Sequence, residues 1–132
     1  MKATADAPVV LLVEDETVVR EITGQVLENA GYRVLESSSP KEALHLASKH
    51  EGRLDLLLTD VVMPGMTGID LADKLRDLQP DLITIFMSGY AEGDVLHKIS
   101  ATASLHIQKP FTVNFLLSRV AEALSGAQPT NT

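Results

Sequence analysis

The side chains of this sequence that suit phosphate and metal chemistry each stand at the end of a short apolar run. Three are carboxylates, one is a hydroxyl and one is an amine: Glu14, Asp15, Asp60, Ser88 and Lys109. Carboxylates brought together repel one another, and a hard divalent cation that coordinates several of their oxygens reverses this cost. The three acidic residues therefore predict a Mg²⁺ site.

A lysine and a hydroxyl beside such a metal suit phosphoryl transfer. They would hold the equatorial oxygens of the transferred group and neutralise the charge on them. An aspartate carboxylate is able to form an acyl phosphate, so Asp60 is the candidate nucleophile. Structural roles stay open as well, since Glu14 and Asp15 would suit a helix start and Asp60 precedes the turn-forming pair Pro64 and Gly65.

Five short strands that alternate with helical patterns would position these residues. The predicted strands are residues 9–13, 33–37, 55–59, 83–87 and 105–108, and the predicted helices are residues 16–30, 40–50, 68–78, 92–100 and 112–125. Such alternation is typical of parallel βαβ units with helices on both faces of the sheet. Ligands bind at the carboxyl ends of parallel strands, so we expect all five polar residues along one edge.

Several predicted helix ends carry residues with a known capping role. Ser39 should cap the second helix, with Pro40 at its first position and Glu42 three residues after the cap, and Thr112 should cap the last helix. We expect Gly31 to end the first helix in a left-handed conformation. The first helix is expected to bury four apolar residues on one face: Val19, Ile22, Val26 and Leu27.

Composition favours one domain and is compatible with a reducing compartment. The 132 residues are 45% hydrophobic, which predicts a domain over residues 8–125 with flexible termini at 1–7 and 126–132. Apolar runs are too short to span a membrane and no cysteine is present, so we expect a cytoplasmic protein without a membrane partner. The net charge of -7 disfavours nucleic-acid binding.

Four segments of the sequence resemble the motif blocks of response-regulator receiver domains. They are LLVEDE at 11–16, LTDVVMPGMTG at 58–68, MSGYA at 87–91 and QKPF at 108–111. The resemblance covers about residues 8–125 and has all four blocks in the family's order. It implies an α/β, flavodoxin-like, doubly wound sheet of five parallel strands in the order 2-1-3-4-5.

The resemblance also implies a role for individual residues. Asp60 matches the phosphoacceptor, Glu14 and Asp15 match the acidic pair that binds Mg²⁺, and the backbone carbonyl of Val62 matches a further metal ligand. Ser88 matches the hydroxyl that turns toward the phosphoryl oxygens. Lys109 matches the lysine that pairs with those oxygens, and the peptide bond before Pro110 is expected to be cis.

By resemblance, the protein is a signalling switch and not a conventional enzyme, catalysing only its own phosphotransfer and dephosphorylation. The donor would be a phosphohistidine on a sensor histidine kinase or a histidine phosphotransfer protein. The output would be contact with a downstream protein through the face of the predicted helix 92–100, strand 105–108 and helix 112–125, by a monomer or weak dimer. The motif style resembles receivers of hybrid sensor kinases, and a stand-alone regulator stays open.

Three positions near the site depart from or vary within the family pattern. Many receivers carry Tyr or Phe where this sequence has His106, so the switch is either altered and sensitive to pH or His106 is only a structural residue at a strand end. Val62 and Tyr90 flank the site and would shield the acyl phosphate, and Tyr90 would act in the switch with Ser88 and His106.

Two other functions compete with the receiver interpretation. A Mg²⁺-dependent phosphatase of the haloacid-dehalogenase type also uses an aspartyl nucleophile, but it typically has a second aspartate where this sequence has Val62. A degenerate receiver that only binds partners would not need all five polar residues. His45, His50 and His97 have no ligand-like pairing, so no zinc site is predicted.

Overall fold

The computed structural model describes residues 7–89 and 105–125. Five parallel strands form one sheet in the order β2-β1-β3-β4-β5. Their bounds are Val9–Val13 (β1), Arg33–Ser37 (β2), Leu56–Asp60 (β3), Ile83–Ser88 (β4) and Leu105–Gln108 (β5). The predicted fold class and strand order are confirmed.

Four helices of the described ranges connect or follow these strands. They are Thr17–Asn29 (α1), Pro40–Lys49 (α2), Gly68–Leu78 (α3) and Val113–Leu124 (α4). The predicted caps form, because the Ser39 hydroxyl accepts a hydrogen bond from the Glu42 N–H and the Thr112 hydroxyl accepts one from the Phe115 N–H, both at 3.1 Å. The predicted helix 92–100 lies outside the described residues.

Two apolar clusters hold the sheet between its helices. One joins α2 and α3 to a face of the sheet through residues such as Ala43, Leu71 and Leu75, packed near Leu11 and Leu57. The other joins α1 and α4 to the opposite face and includes Leu27, Leu116, Val120, Leu58 and Ile107. β1 and β3 are buried along their whole length, as expected for central strands covered on both faces.

The face that α1 buries differs from the predicted one. Its buried residues are Thr23, Gly24 and Leu27, whereas Ile22 is 57% exposed. A methyl group on Gly24 would lie 2.3 Å from the Glu36 carboxylate of β2. The close approach at Gly24 turns the small residues of α1 toward the sheet and leaves Ile22 outside it, so that part of the prediction was wrong.

Two strand ends also differ by one residue from the prediction. Asp60 is the last residue of β3 and Ser88 is the last residue of β4, whereas both were expected just after their strands. Asp55 precedes β3, and its carboxylate accepts a hydrogen bond from the Val9 N–H at 2.8 Å. Among the described helices, none has the length and apolarity needed to cross a membrane.

Candidate functional site

The register of the sheet brings the carboxyl ends of its strands to one edge. Asp60 pairs with Met87 of β4, and Ser88 pairs with Gln108 of β5. Lys109 follows directly, and its N–H donates to the Ser88 carbonyl at 2.8 Å. On the other side of β3, the Glu14 N–H donates to the carbonyl of Ser37, the last residue of β2, at 3.0 Å. The backbone thus fixes the positions of four of the five predicted polar residues.

The three predicted carboxylates come together at this edge. Glu14, Asp15 and Asp60 each offer an oxygen, and these oxygens lie within 4.8 Å of one another. Glu14 is fully buried, Asp60 is 4% exposed, and Asp15 is exposed to solvent. The cluster is therefore a partly enclosed acidic site with one open side.

Lys109 supplies the positive charge of the site. Its Nζ lies 2.6 Å from Asp60 Oδ1 and 2.9 Å from Glu14 Oε1, so one ammonium bridges both buried carboxylates. The peptide bond between Lys109 and Pro110 is cis, as the sequence resemblance implied. The same ammonium is placed where oxygens of a phosphoryl group on Asp60 would need a partner.

The electrostatics of the cluster favour a proton or a cation. Burial raises the pKa of Asp60 to about 8, and the neighbouring Glu14 carboxyl acts in the same direction while Lys109 opposes it. Burial alone would raise the pKa of Glu14, but hydrogen bonding with Asp60, Lys109 and the Glu16 N–H lowers it. Burial works against the charge of Lys109, yet both carboxylates raise its pKa.

The residues present fit a magnesium ion. Asp60 Oδ1 lies 2.6 Å from the Lys109 ammonium, whereas Asp60 Oδ2 has no N–H or O–H donor within the described residues. Buried carboxylate oxygens without donors are costly, and a hard cation would satisfy them. Val62, whose backbone carbonyl is the further metal ligand that the resemblance implies, lies two residues after Asp60 and is 51% exposed. The donor set consists of oxygens, which Mg²⁺ prefers.

The predicted switch residues are only partly described. Ser88 is buried, and its hydroxyl forms a hydrogen bond with His106 Nε2 across β4 and β5. His106 is half-buried on β5. Tyr90 lies outside the described residues. Within the described part of the chain, the Ser88 hydroxyl is therefore engaged with His106 and not with Asp60.

Two residues at the site were not foreseen from the sequence in these roles. Arg20 of α1 donates from Nη1 to the Glu14 carbonyl at 3.0 Å and pairs with Glu36 at 3.8 Å, which ties the acidic loop to α1 and β2. Gly68 lies so close to Asp60 that an added Cβ would be 2.1 Å from its carbonyl oxygen. No sequence pattern predicts that Arg20 of α1 contacts the Glu14 carbonyl. Gly68, in contrast, is the last residue of the motif block at 58–68.

Comparisons with known proteins agree with this architecture. The family model of the response regulator receiver domain matches residues 10–121. Over 116 residues the chain is 41% identical to the sensor kinase CckA of Brucella abortus, covering 87% of this chain and 12% of that protein. The response regulator receiver protein CpdR of the same organism is 33% identical over 119 residues, with 89% and 98% covered.

A solved structure supports the same assignment. The CheY-like response regulator receiver domain protein of Methanospirillum hungatei superposes with a TM-score of 0.80 at 30% identity, covering 91% of this chain and 95% of that one. The chain spans 30% and 52% of the lengths of two further curated relatives. With a family match over most of the chain and a relative matched over nearly its full length, the chain belongs to the response regulator receiver domain family of two-component signalling.

Proposed function

We propose that residues 8–125 form a phosphoacceptor switch in which Asp60 takes a phosphoryl group from a phosphohistidine. The observation that carries this proposal is the environment of the Asp60 carboxylate. It is buried, it lies 2.6 Å from the Lys109 ammonium, and it shares a 4.8 Å cluster with Glu14 and Asp15. The Lys109 ammonium could pair with the oxygens of a phosphoryl group on Asp60, and Glu14 and Asp15 could bind a metal ion beside it.

In the transfer step, an Asp60 carboxylate oxygen attacks the phosphorus atom of the phosphohistidine. The new oxygen–phosphorus bond forms as the nitrogen–phosphorus bond breaks, and the electron pair of that bond returns to the donor imidazole. Lys109 pairs with the transferred oxygens, and the Ser88 hydroxyl donates to one of them. Glu14, Asp15, Asp60 and the Val62 carbonyl would hold Mg²⁺, which would supply positive charge to balance the charge on those oxygens.

The donor is a sensor histidine kinase or a histidine phosphotransfer protein, and the output is contact with a downstream protein. The likeness to part of a sensor kinase and to a receiver protein of matching length supports both a hybrid-kinase domain and a stand-alone regulator. The output face would consist of the predicted helix 92–100, β5 and α4, and Ser88, Tyr90 and His106 would be the switch residues. We propose a cytoplasmic location and a monomer or weak dimer.

The proposal is tested by incubation with acetyl phosphate, with and without Mg²⁺, followed by intact mass measurement. The wild type should gain one Mg²⁺-dependent phosphoryl adduct, and Asp60→Asn should gain none. Asp73→Asn is the matched control, because Asp73 is an exposed aspartate on α3 whose carboxylate pairs with Arg76 of the same helix at 3.3 Å. An adduct that forms equally on Asp60→Asn would overturn the acceptor assignment.

The same preparations separate the switch from the competing phosphatase. Steady turnover of a phosphomonoester by wild type, lost in Asp60→Asn, would favour an enzyme over a signalling domain. We expect no sustained release of phosphate from such a substrate, either by the wild type or by Asp60→Asn.

A further inference from the structure

The hydrogen bond between Ser88 and His106 joins the proposed phosphoryl site to the strand that lies at the edge of the sheet. Ser88 ends β4, and His106 lies on β5 diagonally across from it, since Ser88 pairs with Gln108 and Phe86 pairs with His106. The Ser88 Oγ and His106 Nε2 atoms are 2.5 Å apart.

The direction of this hydrogen bond decides what Ser88 can do. A serine hydroxyl has one hydrogen, and a neutral imidazole has one nitrogen that donates and one that accepts. If Nε2 is the acceptor, the Ser88 hydrogen is occupied by His106. If Nε2 carries a proton, the imidazole donates to Oγ, and the Ser88 hydrogen is available for a phosphoryl oxygen on Asp60.

We propose that His106 is a positioning residue whose proton on Nε2 sets the direction of the Ser88 hydroxyl and so controls how well Ser88 serves a phosphoryl group on Asp60. This inference rests on the proposed phosphoacceptor function. In the metal-free resting state near pH 8, Nε2 accepts and the Ser88 hydroxyl points to His106. Protonation of the ring, or formation of the acyl phosphate, reverses the bond.

The surroundings of His106 allow such a change. The residue is half-buried and lines an open groove of about 470 Å³, so its ring is accessible to solvent protons. Among the described residues, the charged group that shares this groove is Arg119 of α4, which pairs with Glu122 at 3.3 Å and lies 5.2 Å from the Phe115 ring centre. From β4, the polar group that meets the ring is Ser88.

The first test reads the tautomer directly. In nitrogen NMR spectra of the metal-free wild type at pH 8, the His106 ring should carry its hydrogen on Nδ1, with Nε2 as the acceptor. Ser88→Ala should shift the tautomer equilibrium toward Nε2–H. A ring that carries its hydrogen on Nε2 in the wild type at pH 8 would overturn the proposal, and this readout does not depend on phosphorylation.

The second test is a double-mutant cycle on the rate of Mg²⁺-dependent phosphorylation by acetyl phosphate. His106→Gln supplies an amide that can donate to Ser88 at every pH. The ratio of the His106→Gln rate to the wild-type rate should rise about three- to tenfold from pH 5.5 to pH 8.5, as expected for one redirected hydrogen bond. Taking this ratio cancels the titration of acetyl phosphate itself.

In the Ser88→Ala background the same His106→Gln substitution should have no effect at any pH, because its influence passes through Ser88. His106→Phe, which cannot hydrogen-bond, provides a second variant with a pH-independent Ser88. The inference would be refuted if the ratio of the His106→Gln rate to the wild-type rate did not change with pH in the protein that keeps Ser88. It would also be refuted if the same change with pH were seen in Ser88→Ala. In either case an Asp60-dependent adduct would still support the proposed function. Loss of that adduct in the wild type would refute the proposed function itself.

Discussion

The proposed site has two halves of different construction. The charged half consists of Glu14, Asp60 and Lys109, which are joined by ion pairs of 2.6 and 2.9 Å and held between β1, β3 and the start of the last loop. The hydroxyl half consists of Ser88 and His106, joined by one hydrogen bond between β4 and the edge strand β5. The charged half is suited to bind a phosphoryl group, and the hydroxyl half is suited to respond to it.

The largest expected effect concerns Lys109. Lys109→Gln should lower the rate of Asp60 phosphorylation by about 100-fold, because a preorganised charged donor to the transferred oxygens is lost. Mg²⁺ affinity should stay the same or increase, since two carboxylates lose a competing cation. Kinetics by intact mass and Mg²⁺ titration measure the two effects.

Lys74→Gln is the control for this change, because Lys74 is an exposed lysine on α3. A Lys109→Gln protein that is phosphorylated within about threefold of the control rate would show that the charged half does not depend on its lysine. That result would remove the main distinction between the two halves.

A backbone contact of the charged half gives the next prediction. Gly68→Ala should lower the free energy of unfolding by about 2 kcal/mol, because the new methyl group would meet the Asp60 carbonyl and the chain must move. Urea unfolding measures the difference. Gly89→Ala is the matched control, since an added Cβ there meets no atom of residues 7–89 or 105–125 within 4 Å. Equal stability of the two variants would mean that the Asp60 backbone is not closely packed.

The third prediction concerns pH and the metal-free protein. An aspartate in an unfolded chain titrates near its ordinary value, whereas the pKa of Asp60 in the folded protein is about 8. Between these values the folded protein binds a proton that the unfolded chain lacks, so the free energy of unfolding falls as the pH rises. At pH 8.5 the metal-free Asp60→Asn variant should therefore be more stable than the wild type, by a margin larger than at pH 5.

Thermal unfolding in EDTA at pH 5 and pH 8.5 measures this difference, which should be clearly smaller at pH 5 because folded Asp60 keeps its proton there. Added Mg²⁺ should stabilise the wild type more than Asp60→Asn, because the ion replaces the proton on the acidic cluster. A wild type that is the more stable protein in EDTA at pH 8.5 would contradict the sign. The charged half would then respond to pH in the opposite direction from the one its burial implies.

The alternation of strands and helices was sufficient to predict the set of polar residues at one edge, and the resemblance to receiver domains supplied the strand order. The sequence placed Asp60 and Ser88 one residue beyond their strands, because the last paired residue depends on hydrogen bonds to neighbouring strands and not on local apolarity. It also placed Ile22 inside, because periodicity does not reveal that Gly24 lets α1 approach Glu36. The Ser88–His106 contact joins residues 18 apart in sequence, and no local pattern predicts it.

The position of β3 has a consequence for how the site opens. Asp60 ends the middle strand of the sheet, which pairs with β1 on one side and β4 on the other. In amide hydrogen exchange, such a strand is protected until the whole domain unfolds, whereas an edge strand such as β5 can open by local fluctuation. Loosening of β5 would release His106 from Ser88 while Asp60 kept its place, so the proposed output surface could fluctuate without exposing a phosphoryl group on Asp60.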